Sequence, residues 1–493
     1  MALPRHRTRA AVIALVGTGA LAACGPDAGL RSAEPSPRPE PTVTSTPSAH
    51  PLPGPYGVAR NDLREDSVYP AIGEPVVDAL HYDLDLTWVP DRDLLIGRET
   101  ILFRAAATST TIPLDLSSEL EVARVRLDGR PVDFEHTGTT LVIEQPVTAD
   151  DEHQLTLAYE GTPAPTPAPS ERSDFEQGLG WSITDEHETW TLQEPYGAFT
   201  WYAVNDHPSD KALYDFALTV DEPWSGVANG QLVDTVRRAG STTSHWHLAE
   251  PAASYLVTVA FGDFQHTDLT SASGVPLQVW TDVDGEALPG ETAYLPEAVD
   301  WVEGILGPYP FDSLGILVVD NTSGMETQTM ITLGDTAYSL SAATIVHEVV
   351  HQWYGDTVTP DDWSDVWMNE GMAMYLQGVW EAEQEGTSVE EKMDGWAEFE
   401  PDLRADAGPP GAYDPEKFGS SNVYYGPALM WQSLRERIGD DAFFEVLREW
   451  PAARANGTAD RTDLRDWIED TTGEELSAFF DDWLLSEESP ADD

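Results

Sequence analysis

Two histidines four residues apart, His347 and His351, lie in the run Ile345-Val346-His347-Glu348-Val349-Val350-His351-Gln352-Trp353-Tyr354 and have the spacing to grip one ion. Neither Gly nor Pro occurs from Ser341 to Tyr354, and the run is mostly apolar, so it predicts a helix. At 3.6 residues per turn the two imidazoles leave the same face one turn apart. That donor pair suits zinc. Glu348 lies about 100° further round the helix. It is therefore not a third ligand from that face, but it can reach a water beside the metal and act as its general base.

A chance His-Glu-x-x-His gives surface histidines with no metal, so a third donor matters. Trp367-Met368-Asn369-Glu370-Gly371 supplies one, with eighteen residues between His351 and Glu370, in a stretch from Ser364 to Glu383 that also predicts a helix. Two His from one helix and a Glu from the next make a three-ligand catalytic site with one open position. A closed structural site needs a fourth protein ligand, and cysteine is not available for it: the chain has one, Cys24.

This pattern resembles the M1 (gluzincin) zinc metallo-aminopeptidases, and Gln352-Trp353-Tyr354-Gly355-Asp356 continues the family's sequence. The resemblance implies one Zn²⁺ per chain on His347, His351 and Glu370, with Glu348 as base. Ser323-Gly324-Met325-Glu326-Thr327 is similar to the family's Gly-Ala-Met-Glu-Asn motif, with Ser, Gly and Thr at the three variant positions. It implies that Gly324 and Met325 pair with an extended substrate and that Glu326 binds the substrate's α-amine. Gln193-Glu194-Pro195-Tyr196-Gly197-Ala198 resembles a second amine-binding segment and brings in Glu194. Asn422-Val423-Tyr424-Tyr425-Gly426-Pro427-Ala428-Leu429 resembles the segment with the catalytic tyrosine. Aligned on Ala428-Leu429, Tyr424 takes that position as oxyanion donor, Tyr425 is the rival, and Pro427 stands where Gly is usual. The implied activity is removal of amino-terminal residues from peptides with a free amino terminus. The same ligands also serve thermolysin-like endopeptidases, and some relatives without activity are binding proteins.

The elements that must hold these residues predict an α+β chain. From about Val76 to Phe264 short alternating runs such as Leu80–Trp88, with turns at Asp128-Gly129 and Asn229-Gly230, predict a β-rich domain. Alone they fit any β-sandwich; the resemblance makes it a saddle-shaped sheet. After it come a helix at Leu295–Leu306, a buried strand at Leu314–Val319, the two metal helices, and amphipathic patterns at Asp441–Trp450 and Arg461–Leu484. This part is expected to be a thermolysin-like, mostly α catalytic domain. The division is 1–23 signal, 24–66 tether, 67–265 β domain and 266–493 catalytic domain.

Arg5, His6, Arg7 and Arg9 precede an uncharged apolar run from Ala10 to Leu21, which reads as an export signal too short to span a membrane. Leu21-Ala22-Ala23-Cys24-Gly25 resembles the bacterial lipobox, which implies a lipid on Cys24 and a membrane-anchored extracytoplasmic lipoprotein. An ordinary Ala-x-Ala cleavage site is the alternative. Prolines recur from Gly25 to Gly57 without a hydrophobic period, as in a semi-extended tether. The chain carries 26 Lys+Arg against 87 Asp+Glu, a net charge of −61. That argues against nucleic acid and anionic membrane surfaces as electrostatic partners. It fits a salty or acidic milieu or simply a solvated acidic surface.

Overall fold

The alternation at Leu80–Trp88 becomes the centre of a sheet. In the strand Val77–Val89, Tyr82, Leu84, Leu86 and Trp88 are buried while Asp83 and Asp85 face solvent, as a half-buried strand of period two requires. This computed structural model describes residues 56–490, and Cys24, the apolar run before it and the Pro-rich stretch through residue 55 lie outside them. The described residues belong to one compact unit, Gly54–Asp493.

The central strand runs parallel to Lys211–Asp221 and antiparallel to Leu94–Ala105 within an eight-stranded sheet. A four-stranded sheet, ordered Ser225–Ala228, Val259–Gly262, Thr189–Leu192, Gly180–Ile183, lies in the same half of the chain, and its middle strands are wholly buried. Asp128-Gly129 is a tight hairpin, with φ of 51° and 76°, the left-handed pair of a type I′ turn. Asn229-Gly230 does something else. It carries the chain from one sheet into the other, and the Asn229 side chain is buried, donating to Leu256 O at 2.9 Å and Gln328 O at 2.6 Å.

The second half of the chain begins with a five-stranded sheet ordered Phe264–Thr270, Pro276–Asp282, Leu314–Val319, Met330–Gly334, Gly324–Met325. Helices follow: α1 (Leu295–Leu306), α2 (Ala342–His351), α3 (Trp367–Glu385), α4 (Val389–Ala397), α5 (Glu400–Ala407), α6 (Asn422–Ile438), α7 (Asp440–Ala453), α8 (Arg461–Thr472) and α9 (Ser477–Leu485). The pattern over Arg461–Leu484 is thus two helices, because Gly473 takes a left-handed φ of 74° and caps the first. No helix among the described residues is long and apolar enough to cross a membrane.

Polar clamps join the two halves. Residues 56–66, which composition assigns to the end of the tether, pack against the folded chain: buried Asp66 accepts from Val68 N at 2.9 Å and Trp363 N at 2.7 Å. Lys211, fully buried on the central β sheet, sends its ammonium across to Asp356 O at 2.7 Å, Thr357 O at 3.3 Å and Gly457 O at 3.4 Å. Burial lowers its pKa to about 7, with Asp356 opposing. Lys211→Met removes the donor and strands buried carbonyls, at a cost of about 2 kcal/mol or more, which a thermal melt reads directly. The folded state sheds this proton near pH 7 and the unfolded chain near 10. The unfolded state therefore binds more protons between those values, and the wild-type advantage over Lys211→Met widens as pH rises through that window. A gap that narrows instead contradicts the assignment.

Candidate active site

Helix α2 starts at Ser341, whose hydroxyl accepts from Thr344 N at 3.2 Å as an N-cap. It runs buried to His351 and ends there, three residues short of Tyr354. The turn that follows is what the second histidine needs: Gly355 adopts φ 127°, and His351 Nδ1 donates to Tyr354 O at 3.1 Å. Helix α3 packs beside α2 after a short 3-10 turn at Trp363–Asp365. It brings Glu370 Oε2 to 3.3 Å from His347 Nε2 and 3.5 Å from His351 Nε2.

The donor atoms of His347, His351 and Glu370 all lie within 4.8 Å of one another, and all three side chains are buried. His347 Nδ1 is held at 3.0 Å by Gln377 Oε1, while Gln377 Nε2 donates to Glu381 Oε1 at 2.9 Å. That second bond leaves the amide oxygen facing the ring. Each imidazole thus spends its Nδ1–H on an anchor and turns Nε2 toward the shared point, the arrangement of histidines that bind a metal. The set fits zinc, with two imidazoles, one carboxylate and no fourth protein donor in the group.

Four further carboxylates, those of Asp174, Glu194, Glu326 and Glu348, line the same cavity of about 270 Å³. Glu348 is buried, and burial pushes its carboxyl up to about 8, with Glu326 and Glu370 adding to the rise and His351 opposing it. It owes its room to Gly324, where a Cβ would lie 2.5 Å from Glu348 Oε1. Glu326 follows the edge strand Gly324–Met325, and its carbonyl accepts from Gln352 Nε2 at 3.1 Å. Glu194 sits beyond the strand Thr189–Leu192, where Gln193 pins the chain by donating to Ser254 O at 2.7 Å and Val257 O at 2.9 Å. Glu194 and Glu326 each keep one buried carboxylate oxygen with no hydrogen-bond partner, and burial raises both carboxyls. Glu194, Glu326 and Glu370 also approach within 4.8 Å through their oxygens, as do Glu326, Glu348 and His351.

Tyr424 and Tyr425 both reach the cavity from the first turn of α6. The Tyr424 ring stacks on His347, with centroids 6.1 Å apart and planes at 24°, and its hydroxyl accepts from Arg172 Nη1 at 2.9 Å. The Tyr425 ring is set edge-on against Trp396 and Phe399. Pro427 fits inside α6 because it faces Gly371 of α3, where a Cβ would meet Pro427 Cβ at 2.3 Å.

Sequence reading missed Gln377, Arg172 and Asp174. Gln377 was findable, seven residues after Glu370 and so on the same helix face two turns on. Arg172 and Asp174 lie at a short 3-10 turn, Ser173–Phe175, far from the motifs and carry no local signal. Gln377→Leu keeps the helix but frees the His347 ring. Zinc affinity should fall about 10–100-fold, measured by competition with a chromophoric chelator; an unchanged affinity removes the anchor role.

With this geometry in hand, comparisons with known proteins become specific. The peptidase M1 N-terminal domain model matches residues 78–256 and the peptidase family M1 domain model matches 296–483, together well over half of the chain. Aminopeptidase N of Streptomyces lividans is 25% identical over 61% of this chain and 38% of its own length. Aminopeptidase 2 of Candida albicans is 23% identical over 83% of this chain and 47% of its own. The chain therefore spans less than half the length of these two relatives. The crystal structure of an M1 zinc metallopeptidase from Deinococcus radiodurans superposes with a TM-score of 0.77 and 25% identity, covering 86% of this chain and 97% of that one. The β-rich first part and the helical second part of this chain match that fold, and the chain belongs to peptidase family M1.

Proposed function

We propose that this chain is a zinc-dependent aminopeptidase that removes single residues from the free amino end of peptides. The observation that carries the reading is the pair Glu194 and Glu326, two buried carboxylates lining the metal cavity, each with an unpartnered oxygen. Buried anions without partners are costly, and the α-ammonium of a peptide is the cation that satisfies both. An internal or blocked residue brings no such charge and leaves the two carboxylates unpaired. A Deinococcus radiodurans structure with a TM-score of 0.76 is of a variant bound to a Tyr-Ser-Ala substrate, which agrees with short peptides as ligands.

When bound to His347, His351 and Glu370, zinc supplies Lewis-acid polarisation and makes a neighbouring water easier to deprotonate. The protein's residues do the rest. Among the described residues Gly324–Met325 pairs only with Met330–Gly334, which leaves its other edge for an extended peptide. Glu326 and Glu194 fix the amino end, so the first peptide bond meets the base. Glu348 takes the attacking water's proton and delivers it to the leaving amine. Tyr424 donates its hydroxyl proton to the oxyanion that develops on the scissile carbonyl.

We further propose export and lipid attachment through Cys24, supported by the basic start, the apolar run Ala10–Leu21 and Leu21-Ala22-Ala23-Cys24. Membrane contact would then be through the lipid alone.

Given one peptide with a free and with an acetylated amino terminus, the zinc-loaded protein should release single residues stepwise from the free form only, followed by mass spectrometry. Internal cuts in both forms would establish an endopeptidase, and no cleavage of either would favour a binding protein. Glu348→Gln should keep its zinc and lose about 10²–10⁴-fold in turnover; full turnover in the metal-loaded variant contradicts the base assignment.

A further inference from the structure

We infer that Arg172 is a positioning residue for the oxyanion donor: it fixes the Tyr424 hydroxyl oxygen as an acceptor, so that the phenol's one proton is left for the substrate. The inference rests on the aminopeptidase reading above and adds to it a residue from the β domain.

The guanidinium is almost fully committed. Nε and Nη2 hold the two oxygens of Asp174 at 3.1 and 2.6 Å, and Nη1 donates to Gly419 O at 3.0 Å and to the Tyr424 hydroxyl at 2.9 Å. Four of its five N–H groups are thereby used, and its carbon also sits 4.9 Å over the Phe175 ring. A guanidinium so tied is a poor anchor for a second anion such as a peptide carboxylate. It is instead a rigid fork with one tine on Tyr424, and it is the only Lys or Arg among the residues lining the cavity.

The phenol is then constrained twice, its ring by the stack on His347 and its oxygen by Arg172. Among the described residues the hydroxyl gives no hydrogen bond of its own, so its proton is left for a substrate. A charged donor on a hydroxyl oxygen also strengthens the bond that hydroxyl gives away, at the stage when negative charge grows on the substrate.

Asp174 completes the connection, because its Oδ2 also accepts from Ser323 Oγ at 2.9 Å. Ser323 is where the family motif has Gly, and here its hydroxyl ties the start of the substrate-pairing strand to the same fork. The chain Ser323, Asp174, Arg172, Tyr424 thus sets the oxyanion donor relative to the peptide's binding edge.

The test is a double-mutant cycle on the zinc-loaded full chain, with kcat and KM measured on a free-amino peptide. Tyr424→Phe should lower kcat about 10²–10³-fold. Arg172→Met should lower kcat about tenfold or more with KM changed less than about twofold. In the Tyr424→Phe background Arg172→Met should then do nothing further, because its target hydroxyl is gone. Ser323→Ala, a milder change run in the same cycle, should show a smaller kcat loss that also vanishes with Tyr424→Phe. Losses that multiply in the double variants, or a change confined to KM, overturn the positioning role. A wild-type chain that releases residues normally while those losses multiply sinks only Arg172's part, whereas a wild type that cuts no peptide sinks this inference and the aminopeptidase together.

Discussion

Mutual repulsion among buried carboxylates is the constraint on which this molecule depends. Glu194, Glu326, Glu348 and Glu370 share one cavity with a single arginine, and burial raises the carboxyls of Glu194, Glu326 and Glu348. Glu370 alone is held well below the usual range, against its own burial, by His351 and His347. Such a cluster is tolerable only because cations answer it. A zinc ion fits between two histidines and Glu370, and an ammonium fits between Glu194 and Glu326. A metal on His347, His351 and Glu370 and the ammonium of the proposed substrate would each bring positive charge to this acidic cavity.

Holding like charges together requires a stiff frame, and packing provides it through close approaches. Gly371 lets α3 and α6 touch at Pro427, which couples the helix of Glu370 to the helix of Tyr424. Gly324 brings the edge strand against Glu348 in the same manner. Gln352, the residue after the second histidine, spans from α2 to the backbone at Glu326 and Thr329, with bonds of 3.1 and 3.0 Å. None of these contacts is chemical in itself. Each removes a degree of freedom from a group that is.

What the sequence disclosed followed from how local its physics was. His347, Glu348 and His351 were legible because helical periodicity alone sets their directions, and Glu370 because a second helix pattern surrounded it. The β domain was legible as alternation, and Asn229-Gly230 as a turn between strands, but that those strands belong to different sheets depends on contacts to Leu256 and Gln328 far along the chain. The helix at Arg461 ran on in the pattern because amphipathicity does not register that Gly473 has turned left-handed. Arg172 and Asp174 were invisible for a deeper reason. Their meaning is a set of hydrogen bonds to residues about 150 and 250 positions away, and no window of sequence contains both ends.

The edge strand Gly324–Met325 is only two residues long. A peptide lying along it is held mainly by backbone groups, which are common to all sequences, so the strand itself imposes little selectivity. Its shortness has a kinetic side as well. Advancing a strand by one residue turns every side chain to the opposite face and exchanges bonded for unbonded backbone positions. A chain shortened by one residue therefore cannot creep forward along this edge while keeping its pairing. On the aminopeptidase reading, each cut would therefore be followed by breaking and remaking the pairing along this edge before the next bond could meet the base.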